Sequence, residues 1–238
     1  MKAMLLDKKS PAYLGGQFSY LALRSLEYGA FEDLFKSGRT REISSTLDAI
    51  EQATDWDHYA FLTAVRHDKK LNQQLTSGCR VLDVGCGTGS LIAKMHGQYP
   101  RSKFVGIDSS AKAVALALRI ARPFKIVKQA GESMIFENEF DIVYLGESLY
   151  ATGDKHKVIS NCRRALKKNG TIAIVEGLLP ESKLQSEDNR LIIAMQLDFA
   201  LQGHRFMTRK QITKLLCRFS TVRFKSLGGS VYLVTAHR

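Results

Sequence analysis

The sequence has little of what marks several protein classes. Its 238 residues include one tryptophan, four prolines and four cysteines. The cysteines, at 79, 86, 162 and 217, form no C-x-x-C pair and no metal-ligand spacing with the six histidines. That pattern argues against a zinc site or a disulfide framework, and for a reduced, intracellular protein. No run approaches the roughly 18 apolar residues of a membrane span, so no membrane partner is expected. The opening MKAMLLDKKSPAYLGG has too short an apolar stretch for a secretory signal, and Asp7, Lys8 and Lys9 interrupt it. A cytoplasmic location is the default expectation. Internal repeats and low-complexity segments are also missing.

Carboxylates are scarce towards the end of the chain. The formal charge is +12, from 35 Lys and Arg against 23 Asp and Glu. Up to Leu75 there are ten basic and ten acidic residues, so the excess lies beyond. No carboxylate side chain follows Asp198, whereas Arg205, Arg209, Lys210, Lys214, Arg218, Arg223, Lys225 and Arg238 do. Such charge is commonly a solvated surface. Nucleic acid is the other partner it allows, but no aromatic-interleaved basic run or nucleic-acid motif accompanies it.

At 45% hydrophobic, the chain can bury one sizeable core, with or without a small appendage. Up to Leu75 the apolar spacing is helical. Phe18, Leu21, Ala22 and Leu26 share one face, and Ile43, Leu47 and Ile50 share another after an N-cap at Thr40. A third helix carries Phe61, Leu62, Val65 and Leu71. From Arg80 the period changes, and RVLDV, KFVGI, FKIV, FDIVYL and TIAIVE read as buried strands. Helices are predicted over Ser90 to Gly97, Ala111 to Arg122 and Lys155 to Lys168, the last stopping at Asn169-Gly170. Two more begin near Ser186 and Thr208, the second with a capping-box pattern. Strands near Thr221 to Phe224 and Val231 to Thr235 close the chain. The alternation implies a parallel α/β sheet, with a helical segment at 1–75 and the sheet-bearing domain at 76–238.

The most informative stretch is Val81-Leu82-Asp83-Val84-Gly85-Cys86-Gly87-Thr88-Gly89-Ser90, a strand that runs through a glycine-dense turn into a helix. Glycine lets the backbone turn tightly and approach a ligand, and the N–H groups at a helix start are expected to face it. The spacing differs from the dinucleotide fingerprint G-x-G-x-x-G, which makes a nicotinamide oxidoreductase the weaker reading. Asp83 would repel a pyrophosphate but suits a ligand with an ammonium group. Asp108, at the end of the second strand, can accept from ribose hydroxyls or cap the next helix. Glu132 follows the third strand, where it can accept from an adenine amine or remain a solvated charge.

VLDVGCGTG, VGIDSS, AGESM, FDIVYLGE and ALKKNGTIAIVE, in that order, resemble the successive motifs of class I S-adenosylmethionine-dependent methyltransferases. The resemblance covers about Arg80 to Glu176. It implies a Rossmann-like seven-stranded sheet with a reversed final hairpin, and S-adenosylmethionine as cofactor, released as S-adenosylhomocysteine. It also implies that Asp83 and the backbone at Gly85, Cys86 and Gly87 hold the methionine portion. Asp108 with Ser109 would sit at the ribose, and Gly131 with Glu132 beside the adenine.

The flanks resemble, more loosely, the small-molecule O-methyltransferases of plant phenolic and bacterial antibiotic pathways. SLEYGAFEDLFKSGRTREISSTL is similar to their helical N-terminal domain, and IVEGLLPESKL to their segment after the fifth strand. That domain normally supplies a lid and a dimer contact, which makes a homodimer an open expectation, although here it is shorter. Those enzymes place a His-Asp-Trp triplet after the fourth strand, and its histidine deprotonates the acceptor. This chain has Ser148-Leu149-Tyr150 there. A positioned base contributes about 10²- to 10⁴-fold, and alignment roughly 7 to 11 kcal/mol, so transfer to O or N can proceed by proximity without it.

No catalytic base is assigned. Glu147 and Tyr150 are the nearest candidates for acceptor contacts, and either can instead be a structural hydrogen-bond partner. His58, His67, His156 and His204 are further candidates for a base, with His96 and His237 weaker. Tyr13, Phe18 and Tyr20 can form an aromatic lid or simply pack a helix. The expected activity is methyl transfer to a small-molecule acceptor. The alternatives are an RNA methyltransferase and a non-catalytic subunit that keeps the cofactor pocket. LGES after the fourth strand lacks the Asn/Asp-Pro-Pro-aromatic motif of many nucleic-acid amino-methyltransferases.

Overall fold

Strands that are apolar on both faces need cover on both sides, and the computed structural model supplies it with helices. It describes residues 6–7, 15–25, 36–37, 47–120, 123–181 and 187–238. Among the described residues, the helices α1 (Gly15–Ser25), α2 (Leu47–His67) and α3 (Lys69–Ser77) precede the sheet. The strands are β1 (Arg80–Val84), β2 (Lys103–Asp108), β3 (Lys125–Lys128), β4 (Phe140–Gly146), β5 (Leu166–Leu179), β6 (Met207–Thr208), β7 (Ser220–Gly228) and β8 (Val231–His237). Among them run α4 (Ser90–Gln98), α5 (Ala111–Ile120), α6 (Lys155–Ala165), α7 (Glu187–Leu201) and α8 (Arg209–Leu215).

The strand order is β3-β2-β1-β4-β5-β8-β7, with the two-residue β6 beside β5. Neighbours from β3 through β5 pair parallel, and β8 runs antiparallel to both β5 and β7. The expected Rossmann-like sheet with a reversed final hairpin is therefore present, with β6 as a short addition. The order reverses direction between β1 and β4, which is where open α/β sheets bind ligands.

Period-two alternation divides the core. Leu82, Val84, Val143, Leu145, Ile172 and Ile174 pack on Val158, Ile159 and Cys162 of α6 and Ile212 of α8. Val81, Ile142, Tyr144, Ala173 and Val175 face Phe61, Leu62 and Val65 of α2, Leu71 and Leu75 of α3, and Leu91 and Ile92 of α4. Burying one such side chain stabilises by roughly 1.5–3 kcal/mol, enough in sum to fix α2 against the sheet. Asp83, two residues from Val81, shares the α2 face.

Several expectations need correction. Phe61, Leu62 and Val65 do not share a helix with Leu71. The backbone breaks at Asp68, whose Oδ1 accepts from Lys70 N and Leu71 N at 3.1 Å each and starts α3. The helix predicted to Lys168 ends at Ala165, because Leu166 pairs with Phe140 and Glu139 N donates to Ala165 O at 2.9 Å. Sheet pairing overrides helix propensity there, and Asn169, at φ 65°, lies inside β5 instead of closing a helix. Phe18, Leu21 and Ala22 lie together on α1, and all three are exposed. Thr40, Ile43 and Leu26 lie outside the described residues. The Thr208 capping box is present: Thr208 Oγ1 accepts from Gln211 N at 3.3 Å, and Gln211 Oε1 accepts from Thr208 N at 2.9 Å.

Candidate active site

The turn after β1 is built from inside. Gly85, at φ 79°, and Cys86 both donate their N–H to Ile107 O, at 2.8 and 3.0 Å. Gly87, at φ 52°, donates to Asp108 Oδ2 at 2.9 Å, and Gly89 N donates to Cys86 O at 2.9 Å. The protein itself consumes the N–H donors of these four turn residues. The turn is thus poorly suited to cradle a phosphate, and its carbonyls and bare Cα atoms are what it offers. A Cβ at Gly87 would meet nothing within 4 Å, so that side is open. A Cβ at Gly85 would stand 2.6 Å from Ser148 Cβ, and Ser148 Oγ donates to Val84 O at 2.9 Å. The β1 and β4 loops are therefore locked together.

Asp83 is buried at the end of β1, beside Gly106 on one strand and Tyr144 on the other. Burial, with the Asp108 charge adding to it, pushes its carboxyl up to about 8. Such a group calls for a cation. Asp108 closes the neighbouring loop: its Oδ1 accepts from Ser110 N at 2.8 Å while Oδ2 holds Gly87. The helix cap itself is Ser110, whose Oγ accepts from Ala113 N at 3.2 Å, and Ser109 is exposed. Each Asp108 oxygen keeps a second lone pair for a ligand hydroxyl.

Gly131 is buried, and a Cβ there would meet Val158 and Val84 at 3.2 Å. Asn161 of α6 donates from Nδ2 to Gly131 O at 3.0 Å and to Glu132 O at 2.9 Å, holding this short turn. Glu132 Oε1 accepts from Gly153 N at 2.9 Å, tying the turn to the start of α6. Glu132 thus has a structural bond on one oxygen.

Between these loops and α2 lies a cleft of about 150 Å³. Its walls include Gly85, Cys86, Gly87 and Thr88 from the turn, Tyr144, Glu147 and Tyr150 from β4 and its loop, and Thr54, Asp57 and His58 from α2. Of the α2 contribution the sequence reading named only His58, and Thr54 and Asp57 went unrecognised, though a polar Thr54-x-x-Asp57-His58 set beside a buried apolar stripe was a usable signal. Glu176 was also missed. It stands as a lone acid in an apolar strand and is fully buried. Glu176 Oε1 accepts from Leu149 N at 2.7 Å and Tyr150 N at 3.3 Å, shaping the loop where the histidine triplet was expected.

Glu147, at φ 46°, is a strained non-glycine residue at the end of β4, a feature that clusters at functional sites. Burial pushes its carboxyl up to about 7, against a lowering contact from the Gly177 backbone. The Tyr150 ring packs against Phe199 at 4.6 Å, Phe206 at 5.3 Å and His204 at 5.9 Å. Tyr20 donates to Asp198 Oδ2 at 2.8 Å, which ties α1 to α7 behind that wall. Phe18 is exposed and does not line the cleft. Tyr13 lies outside the described residues.

Of the candidate histidines, His58 alone lines this cleft. Burial first, then the nearby Lys94, lowers it to about 4, so it is neutral at pH 7 but a weak base. His204 stands behind Tyr150, and His67 and His156 are exposed. Among the described residues, no group of three or more His, Cys, Asp or Glu side chains is arranged to hold a metal ion. No helix described there is long and apolar enough to cross a membrane.

Residues 75–216 match a family model described as Methyltransferase domain. A demethylmenaquinone methyltransferase of Thermotoga maritima is 30% identical over 105 residues, 44% of this chain and 46% of that protein. A caffeic acid 3-O-methyltransferase of Capsicum chinense is 30% identical over 105 residues, 43% of this chain and 28% of that protein. The chain thus spans less than half the length of these relatives. Human N-acetylserotonin methyltransferase, solved in complex with SAM, superposes over 100% of this chain and 74% of its own, with a TM-score of 0.75 and 19% identity. The pyocyanin biosynthetic protein PhzM gives a TM-score of 0.69 at 18% identity, over 100% of this chain and 74% of its own. At such identities these structures establish a shared fold.

Proposed function

The chain belongs to the methyltransferase domain family, and from that premise we propose that it transfers a methyl group from S-adenosylmethionine to a small-molecule acceptor. The observation that carries this reading is the pairing of a buried, cation-seeking Asp83 with the open face of Gly87 at the switch point between β1 and β4. A donor bearing an α-ammonium fits that pairing, and a pyrophosphate does not.

S-adenosylmethionine, when bound, supplies a methyl group on a sulfonium that departs as a neutral thioether. Asp83 and the carbonyl-rich turn at Gly85, Cys86 and Gly87 receive the methionine portion. Asp108 accepts from ribose hydroxyls beside Ser109, and Gly131 with Glu132 flanks the adenine. Tyr150 and Glu147 border the acceptor, with Tyr20 of α1 assigned to a lid. In this division 1–75 covers the acceptor and 76–238 binds the donor. No histidine occupies the Ser148-Leu149-Tyr150 triplet, so acceleration rests on alignment, which can supply roughly 7 to 11 kcal/mol. The names of the relatives, a demethylmenaquinone and a caffeic acid methyltransferase, support a small acceptor over RNA.

The test is calorimetry with S-adenosylmethionine and S-adenosylhomocysteine, followed by transfer of labelled methyl to phenols, amines and RNA. Donor binding and label in a small molecule are the expected results. No donor binding overturns the cofactor assignment, and label in RNA overturns the acceptor class. Binding without transfer to any acceptor favours a non-catalytic subunit.

A further inference from the structure

Three carboxylates gather at the cleft from parts of the chain far apart in sequence, Asp57 and Glu147 in its lining and Glu176 fully buried behind it. Asp57 reaches in from α2, Glu147 from the end of β4 and Glu176 from β5. Asp57 is 5% exposed, lines the cleft, and its Oδ1 has no hydrogen-bond partner. Glu176 is 0% exposed and its Oε2 is likewise unpartnered. An unmade bond on a buried acceptor costs about 1–3 kcal/mol, more for a charged group. Two such orphans whose charges act on each other point to a donor that arrives with a ligand.

The charge balance identifies that donor. Burial raises Asp57 well above its ordinary value, and Glu147 and Glu176 raise it further. Burial and Glu147 likewise raise Glu176. Among the described residues, no lysine, arginine or histidine acts to lower any of the three. Lys94 is committed to Asp55, at 2.5 Å, and His58 is neutral at pH 7. The aromatic rings of Tyr144 and Tyr150 complete the wall, and such faces attract cations.

Building on the methyltransferase reading, we propose that the acceptor is an amine that enters as its ammonium, anchored by Asp57 at the cleft wall with Glu176 behind it, and that Glu147 takes its proton before transfer. The ammonium passes one proton to the Glu147 carboxylate and leaves a neutral amine. Its lone pair forms the new nitrogen–carbon bond while the carbon–sulfur bond of S-adenosylmethionine breaks, its electron pair remaining on sulfur. The product leaves as the N-methylated ammonium, and Glu147 returns its proton to solvent. Positive charge is thus handed from sulfur to nitrogen, beside carboxylates throughout.

The experiment titrates the S-adenosylhomocysteine-saturated protein with 2-phenylethylamine and butylamine, and with their neutral counterparts 2-phenylethanol and butanol. Wild type, Asp57→Asn and Glu176→Gln are compared, and methylated products of the S-adenosylmethionine reaction are located by mass spectrometry. The amines are expected to bind at least about tenfold tighter than the alcohols, each variant to remove that preference, and label to appear on nitrogen. S-adenosylhomocysteine affinity should stay within about twofold in both variants, which shows that they fold. Equal binding of alcohols and amines, no amine binding to the S-adenosylhomocysteine complex, or a preference that survives both substitutions overturns the amine subsite. Failure of wild type to bind S-adenosylhomocysteine overturns the methyltransferase reading instead.

Discussion

Asp108 accepts the backbone N–H of Gly87 at 2.9 Å, so the acid at the end of β2 and the glycine turn after β1 form one unit. Asp108→Ala removes the proposed ribose acceptor and releases Gly87 and Ser110 together. Hydrogen bonds to a charged group contribute about 1.5–3 kcal/mol each. S-adenosylhomocysteine should bind about ten- to a hundredfold more weakly by calorimetry, with Asp108→Asn between the two. Wild-type affinity in the alanine variant would confine Asp108 to loop structure.

Gly85 and Gly87 separate folding from binding. Alanine at 85 places a Cβ 2.6 Å from Ser148 Cβ at φ 79°, whereas at 87 it meets nothing within 4 Å at φ 52°. Left-handed strain costs both variants about 1–2 kcal/mol. Only Gly85→Ala adds a clash, so its thermal midpoint should fall further. Gly87→Ala should lose more donor affinity than stability, because its Cβ enters the open ligand side. The reverse ranking in thermal unfolding and calorimetry would contradict this placement.

Asn161 is buried and bonds two carbonyls of the turn at Gly131 and Glu132. Asn161→Ala leaves both without that donor, at about 1–3 kcal/mol apiece. A thermal midpoint lowered by several degrees is expected, along with weaker donor binding. An unchanged midpoint would mean that α6 and the turn are held by packing alone.

Buried acids give the unliganded protein a defined pH response. Burial raises Asp83 to about 8 and Glu147 to about 7. A folded pKa raised above the unfolded one contributes stability that is complete below the unfolded value near pH 4 and lost as pH rises through the folded value. His58, lowered to about 4, acts with the opposite sign between about pH 4 and 6.5, and above that range it is neutral in both states. Thermal stability should therefore decline from about pH 6.5 to about 8. Asp83→Asn should flatten the decline, as should saturating S-adenosylhomocysteine, whose α-ammonium would pair with Asp83. An equally steep decline in the variant would locate the titration elsewhere.

Much of the turn after β1 and its neighbouring acids was legible from residue order. A strand, a glycine turn and a helix start are short-range features, and Asp83 and Asp108 stand at strand ends that the hydrophobic period already marks. The Thr208 capping box was readable for the same reason, since its partners are three residues apart. The use of the turn's own N–H groups was hidden, because their acceptors, Ile107 O and Asp108, arrive with β2.

By itself, the sequence determined the alternation of helix and strand, the α/β class and the glycine turn with its acids, all of which depend on neighbours within a few residues. Tertiary structure alone decided that Lys167 to Gly170 extend a strand, and that Asp57, Glu147 and Glu176 meet. Pairing of Leu166 with Phe140 of β4 outweighs local helix propensity. No pattern along the chain encodes the meeting of the three acids, because packing α2 across β4 and β5 is what brings these charges together out of water, where each one's protonation depends on the others.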